Sequence, residues 1–154
     1  MRMRLKFVIP IVGAAALAAS VIPALAAPSD VELTAKMNGK QEVPEQGDPN
    51  GKGEAELTLK TAKEKVCFTF TFEDIEDVTQ GHIHKGEKGD DGPIKLELFD
   101  LDPQSSPVED CVKADEKLIN KVAKNPDRYY VNLHNSEFPD GAIRGQLKLS
   151  GPAQ

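Results

Sequence analysis

The chain has 154 residues, 39% hydrophobic and 5% aromatic, with 19 Lys plus Arg against 25 Asp plus Glu and a net charge of −6. That length accommodates one core and excludes a multidomain enzyme. An acidic chain without a cluster of cations interleaved with aromatics repels phosphate backbones and anionic headgroups, which excludes nucleic acid as a partner.

Residues 1–26 read as a secretory signal peptide. Arg2, Arg4 and Lys6 precede an apolar run over residues 7–26, which closes on Ala24-Leu25-Ala26, small side chains that suit a signal peptidase pocket. Cleavage after Ala26 would leave residues 27–154 as the mature domain, with 16 basic against 25 acidic side chains and no membrane segment. A retained anchor is the alternative, against which Pro10, Gly13 and Pro23 interrupt the run. The expected location is secreted, periplasmic or cell-envelope.

Short alternating segments follow, which predict half-buried strands. Val31, Leu33, Ala35 and Met37 form the first, Ala55, Leu57 and Leu59 the second, and Val66, Phe68, Phe70 and Phe72 the third. Further along are Ile94, Leu96 and Leu98, then Tyr129, Val131 and Leu133, then Ile143, Leu147 and Leu149. Gly- and Asx-rich turns separate them, as at Gly47-Asp48-Pro49-Asn50-Gly51, Gly89-Asp90-Asp91-Gly92-Pro93 and Pro139-Asp140-Gly141. Asp48, Asn50, Asp90 and Asp91 match no calcium-loop spacing, which favours the turn reading over a cation site. One short helix is predicted over residues 115–124, capped by Asp115, with Leu118, Ile119 and Val122 on one face and a stop at Asn125-Pro126.

Cys67 and Cys111 are expected to pair in an oxidising compartment, closing a 45-residue loop worth about 4 kcal/mol in the chain-entropy view. Two free thiols acting as metal ligands are the alternative, without a CxxC spacing to support it. The serines lie in no nucleophile-elbow context, and the paired carboxylates Asp74/Asp77 and Asp90/Asp91 read as solvated faces and turns, so no catalytic residue is assigned.

Three histidines fall in two places, Gly81-His82-Ile83-His84 and the end of Tyr130-Val131-Asn132-Leu133-His134. Residues two apart on a strand share a face about 6 to 7 Å apart, so His82 and His84 can converge on one ion. His134 joins them on one exposed side if its strand is a neighbour. Three imidazoles suit copper or zinc. The competing reading is that the rings hydrogen-bond backbone carbonyls and hold the glycine loop in shape. Arg144 is placed beside this cluster by a hairpin. It either bridges strands through carbonyls or an acid such as Glu137, or lowers the imidazole pKa values and draws a small anion toward a bound metal.

At these residues the sequence resembles the CHRD domain family, named from its repeats in chordin. The carrying pieces are Val66-Cys67-Phe68-Thr69-Phe70, Gly81-His82-Ile83-His84-Lys85-Gly86 with Gly89, Gly92, Pro93 and Ile94, Cys111, Asn125-Pro126, Tyr129 to His134, and Phe138 to Leu147. The resemblance implies a β-sandwich with a binding role outside the cell or in the envelope, toward a protein or glycan, with no enzymatic activity generally assigned. The histidine pattern is also partly similar to the copper ligands of copper-zinc superoxide dismutases, which use a Greek-key barrel. The expected fold is therefore an all-β, antiparallel, Greek-key-like sandwich or barrel of seven or eight strands with one short helix in a crossover. The expected function is a non-enzymatic exported binding module, and the alternative is a copper protein with a superoxide-dismutase-like or copper-handling role through His82, His84 and His134.

Overall fold

Side chains that alternate apolar and polar can bury one face of a strand and leave the other in water, and this pattern generates most of the fold. The computed structural model describes residues 29–151. The leader assigned to residues 1–26 lies outside the described residues. In chain order the elements are β1 (Val31–Asn38), β2 (Lys52–Lys60), β3 (Lys65–Glu73), β4 (Val78–Lys85), β5 (Ile94–Gln104), β6 (Val108–Lys113), α1 (Glu116–Lys124), β7 (Tyr129–His134), β8 (Ile143–Gln146) and the two-residue β9 (Lys148–Leu149). All strand pairings are antiparallel, in the spatial order β5-β4-β7-β8-β1-β2-β3-β6 with β9 beside β1. The end strands β5 and β6 are consecutive in sequence and approach each other, so the sheet is nearly closed into a barrel.

The core takes the residues that the alternation selects. Leu33, Ala35 and Met37 of β1 meet Ala55, Leu57 and Leu59 of β2 and Val66, Phe68 and Phe70 of β3, while Ile83, Val131, Leu133 and Ile143 close the other side. Phe68, Phe70 and Phe99 pack with ring centroids 5.6 to 6.1 Å apart. Asp115 caps α1 by accepting from the backbone N–H groups of Lys117 and Leu118, and Ile119 and Val122 are buried beneath it. Cys67 stands directly opposite Cys111 on β3 and β6, and the two are bonded. The thiol-ligand alternative is thereby removed.

Three local expectations are corrected. The final segment is not one strand: it breaks at Leu147, whose N–H turns to the Tyr129 carbonyl, and Leu149 beyond the break is 58% exposed. Ile94 is 52% exposed because β-bulges shift the β4–β5 register, setting Ile94 opposite His84 and Leu96 opposite Ile83, so that positions two apart on β5 meet neighbours on different faces. The strand count rises to nine, since β6 carries no strong alternation in its sequence and β9 has only two residues.

Candidate metal centre

β4 and β7 are adjacent, and both are buried on their two faces. Ile83, Val131 and Leu133 point into the core. The opposite face carries His82, His84, Tyr130, Asn132 and His134, set by a register that pairs Gln80 with His134, His82 with Asn132 and His84 with Tyr130. This polar face is not the exposed side the sequence suggests. His82, His84 and His134 are only 5%, 8% and 7% exposed, because the glycine loop of residues 86–93 and the turn after His134 fold over them.

The three rings converge: one ligand nitrogen from each lies within 4.8 Å of the others, the one such cluster among the described residues. His84 Nδ1 is 2.7 Å from the Gly92 carbonyl and His134 Nδ1 is 2.9 Å from the Pro139 carbonyl. A carbonyl only accepts, so both rings carry their proton on Nδ1 and present a lone pair at Nε2. His82 Nδ1 lies 3.0 Å from His134 Nε2 and therefore donates to it. Burial lowers the pKa of His82 to about 4, helped by His134 and His84. Burial likewise lowers His84 and His134, against the opposing bonds to Gly92 and Pro139. All three rings are thus neutral at neutral pH, the form a metal ion binds.

The two readings of the histidines turn out to use different nitrogens of the same rings. Nδ1 of His84 holds the glycine loop and Nδ1 of His134 holds the 135–139 turn, while Nε2 of His84 has no partner and Nε2 of His134 accepts only from His82. Metal-ligating histidines characteristically donate their second N–H to a carbonyl or carboxylate in this way. Gly92 anchors the arrangement: its carbonyl accepts from His84 and from the Tyr130 hydroxyl, and its N–H donates to that hydroxyl. A Cβ at Gly92 would fall onto the Lys85 carbonyl, so a side chain has no room there.

Arg144 lies on the histidine face, as its hairpin placement suggests, but is only 2% exposed. Its guanidinium carbon lies 3.3 Å from the centroid of Tyr130, which in turn stacks on His84 at 4.7 Å, and its Nη2 donates to the Glu87 carbonyl at 3.1 Å. The burial follows from the same loop closure that covers the histidines. Among the described residues no carboxylate, Glu137 included, lies within ion-pair distance of Arg144. Its charge nonetheless contributes to lowering His84.

Two buried residues of this face escape sequence reading. Asn132 is 2% exposed and sits between His82 on β4 and Arg144 on β8. Glu42 is 5% exposed, with its carboxyl packed where a side chain on Gly141 would stand. Burial raises its pKa to about 8 despite the opposing charge of Arg144, and Asp91 adds to the rise. Asn132 could have been noticed from its alternation with His134, whereas nothing in the spacing of Glu42 marks it.

Neutral imidazoles locked in one tautomer and unable to reach water freely can bind a borderline cation such as zinc or copper. No curated protein and no solved structure matches the chain significantly. A family profile, CHRD domain, matches residues 33–147, from the core of β1 to the break after β8. That span contains every residue of the histidine face and both cysteines, and the chain belongs to the CHRD domain family.

Proposed function

We propose that the mature chain is an exported, non-enzymatic binding module whose ligand is a divalent transition-metal ion, zinc or copper, held by His82, His84 and His134. The observation that carries this reading is the pair of Nδ1–H bonds to Gly92 and Pro139, which leave Nε2 as the basic nitrogen of both rings in a cluster whose ligand atoms lie within 4.8 Å of one another. His82 Nδ1–H donates to His134 Nε2 at 3.0 Å. An ion would take the place of that proton, His82 shifting its proton to Nε2, and the spacing is close to the roughly 3.3 Å that two nitrogens on one tetrahedral ion would keep. Asp100 and Asp140 lie near enough to favour positive charge on His82 and His134, and would do the same for a cation. The disulfide and the leader-like residues 1–26 support export.

Calorimetric titration of the chelator-treated protein with zinc chloride and with copper sulfate tests the reading. One ion per chain is expected, with affinity falling at least about tenfold in His84→Ala and in His134→Ala. Equal affinity in the wild type and both variants overturns the site. A superoxide-consuming assay of the copper-loaded protein separates this module from the redox alternative, and no activity above that of free copper is expected.

A further inference from the structure

Assigning the three histidines to a metal leaves the buried oxygens Asn38 Oδ1, Glu42 Oε1 and Asn132 Oδ1 without a partner, and of these Asn132 alone lies on a strand paired with the histidine strand β4. Asn132 is opposite His82, two residues from His134 on the same strand, and within interacting range of His84. Its Oδ1 is fully buried and has no hydrogen-bond partner. The same is true of His84 Nε2. Because His84 Nδ1 is committed to the Gly92 carbonyl, Nε2 is the nitrogen left to face the amide. Two acceptor atoms buried together without a hydrogen between them cost on the order of 1–3 kcal/mol each. Several arrangements relieve this, among them a bond to Asn132 Oδ1 from Arg144 Nη1, a buried donor without a partner directly across the sheet. The amide can also turn so that Nδ2–H donates to Nε2, or a cation can accept both lone pairs.

We infer that the carboxamide oxygen of Asn132 is the fourth donor to the ion held by His82, His84 and His134. The inference rests on the metal reading of the histidines and goes beyond it. Three imidazole nitrogens and one amide oxygen form a neutral four-donor set. Such a set fills a tetrahedral ion and leaves no open position, the pattern of structural and storage sites as opposed to catalytic ones. Asn132 thus acts as a specificity-determining ligand: it holds the site closed to water and to small anions. Arg144, directly across from Asn132 on β8, belongs to the packing around Tyr130 and the glycine loop.

The test uses the mature protein and its Asn132→Asp and Asn132→Leu variants, loaded with zinc or cobalt(II) alone. In the wild type the cobalt(II) visible spectrum is expected to have the intensity of a four-coordinate ion, and the Asn132 13Cγ resonance is expected to shift on zinc addition. Asn132→Asp, which keeps an oxygen donor, should retain both the four-coordinate spectrum and the zinc affinity. Asn132→Leu should lose at least about tenfold in zinc affinity and change the cobalt spectrum. Where Asn132→Leu does not fold, the wild-type carbon shift and the aspartate variant decide. A wild type that binds one zinc with no movement of the Asn132 carbon overturns the inference while leaving the histidine site intact. No zinc binding by the wild type overturns both.

Discussion

Glu42 offers a direct measure of how strongly the loops over the histidine face exclude water. It lies between β1 and β2, its Oε1 has no hydrogen-bond partner, and burial outweighs the nearby charge of Arg144 to raise its pKa from 4.5 to about 8. A group whose folded pKa is raised favours the native state fully below its unfolded value and loses that contribution as pH rises through the folded value. Each pH unit between 4.5 and 8 therefore costs the folded protein up to about 1.4 kcal/mol at this one carboxyl. Glu42→Gln keeps the shape and removes the titration. At pH 5 the variant should differ from the wild type by less than about 1 kcal/mol, and at pH 8 it should be more stable by roughly 2–4 kcal/mol. His82 works in the opposite direction, its cost being absent above pH 6.5 and growing as pH falls toward 4. His84 and His134, lowered in the same direction, add to that loss, and the Glu42→Gln variant should weaken on acidification from pH 6.5. Urea unfolding at pH 5 and pH 8, with chelator present and the disulfide intact, supplies the numbers. A stability difference that is the same at both pH values, or a variant weaker than the wild type at pH 8, refutes the reasoning, since it would mean that Arg144 stabilises an ionised carboxylate.

Two further outcomes follow from the scaffold. Replacing both Cys67 and Cys111 with Ser should lower unfolding free energy by about 4 kcal/mol through the released 45-residue loop, seen as a fall in urea midpoint, and a loss under about 1 kcal/mol would contradict the entropic account. Gly92→Ala should both destabilise the fold by more than about 2 kcal/mol and weaken zinc binding, because the backbone must move away from the Lys85 carbonyl and take with it the carbonyl that orients His84; melting curves paired with zinc titration check this, and an unchanged zinc affinity would separate the loop from the site.

What could be read along the chain is what depends on near neighbours. Strand alternation is a property of the extended backbone, so Leu33, Ala35 and Met37 identify the inward face of β1 before any partner is known. The Asp115 cap, the pairing of His82 with His84 on one face, and the turn at Asp48, whose Oδ1 accepts from the N–H groups of Asn50 and Gly51, are local in the same sense. The exposed Ile94 and Leu149 mark where this logic stops: a bulge and a strand break depend on which neighbour the strand finds, and neither changes the local pattern of apolar residues.

Convergence of His134 with the other two histidines depends on β7 pairing with β4, across 52 residues of chain, and only the assembled sheet decides it. Burial of the charged and polar groups is more distant still from the sequence. Arg144 and Asn132 occupy positions that on an isolated sheet would face water, and their desolvation comes from the packing of residues 86–93, 135–142 and the β1–β2 connection over that face, a connection that carries Glu42 into the same buried region. The chain alone thus specifies which side chains leave the core, because that follows from a backbone period of two; whether they then meet water or one another depends on loops closing over them, a long-range event that no local spacing records.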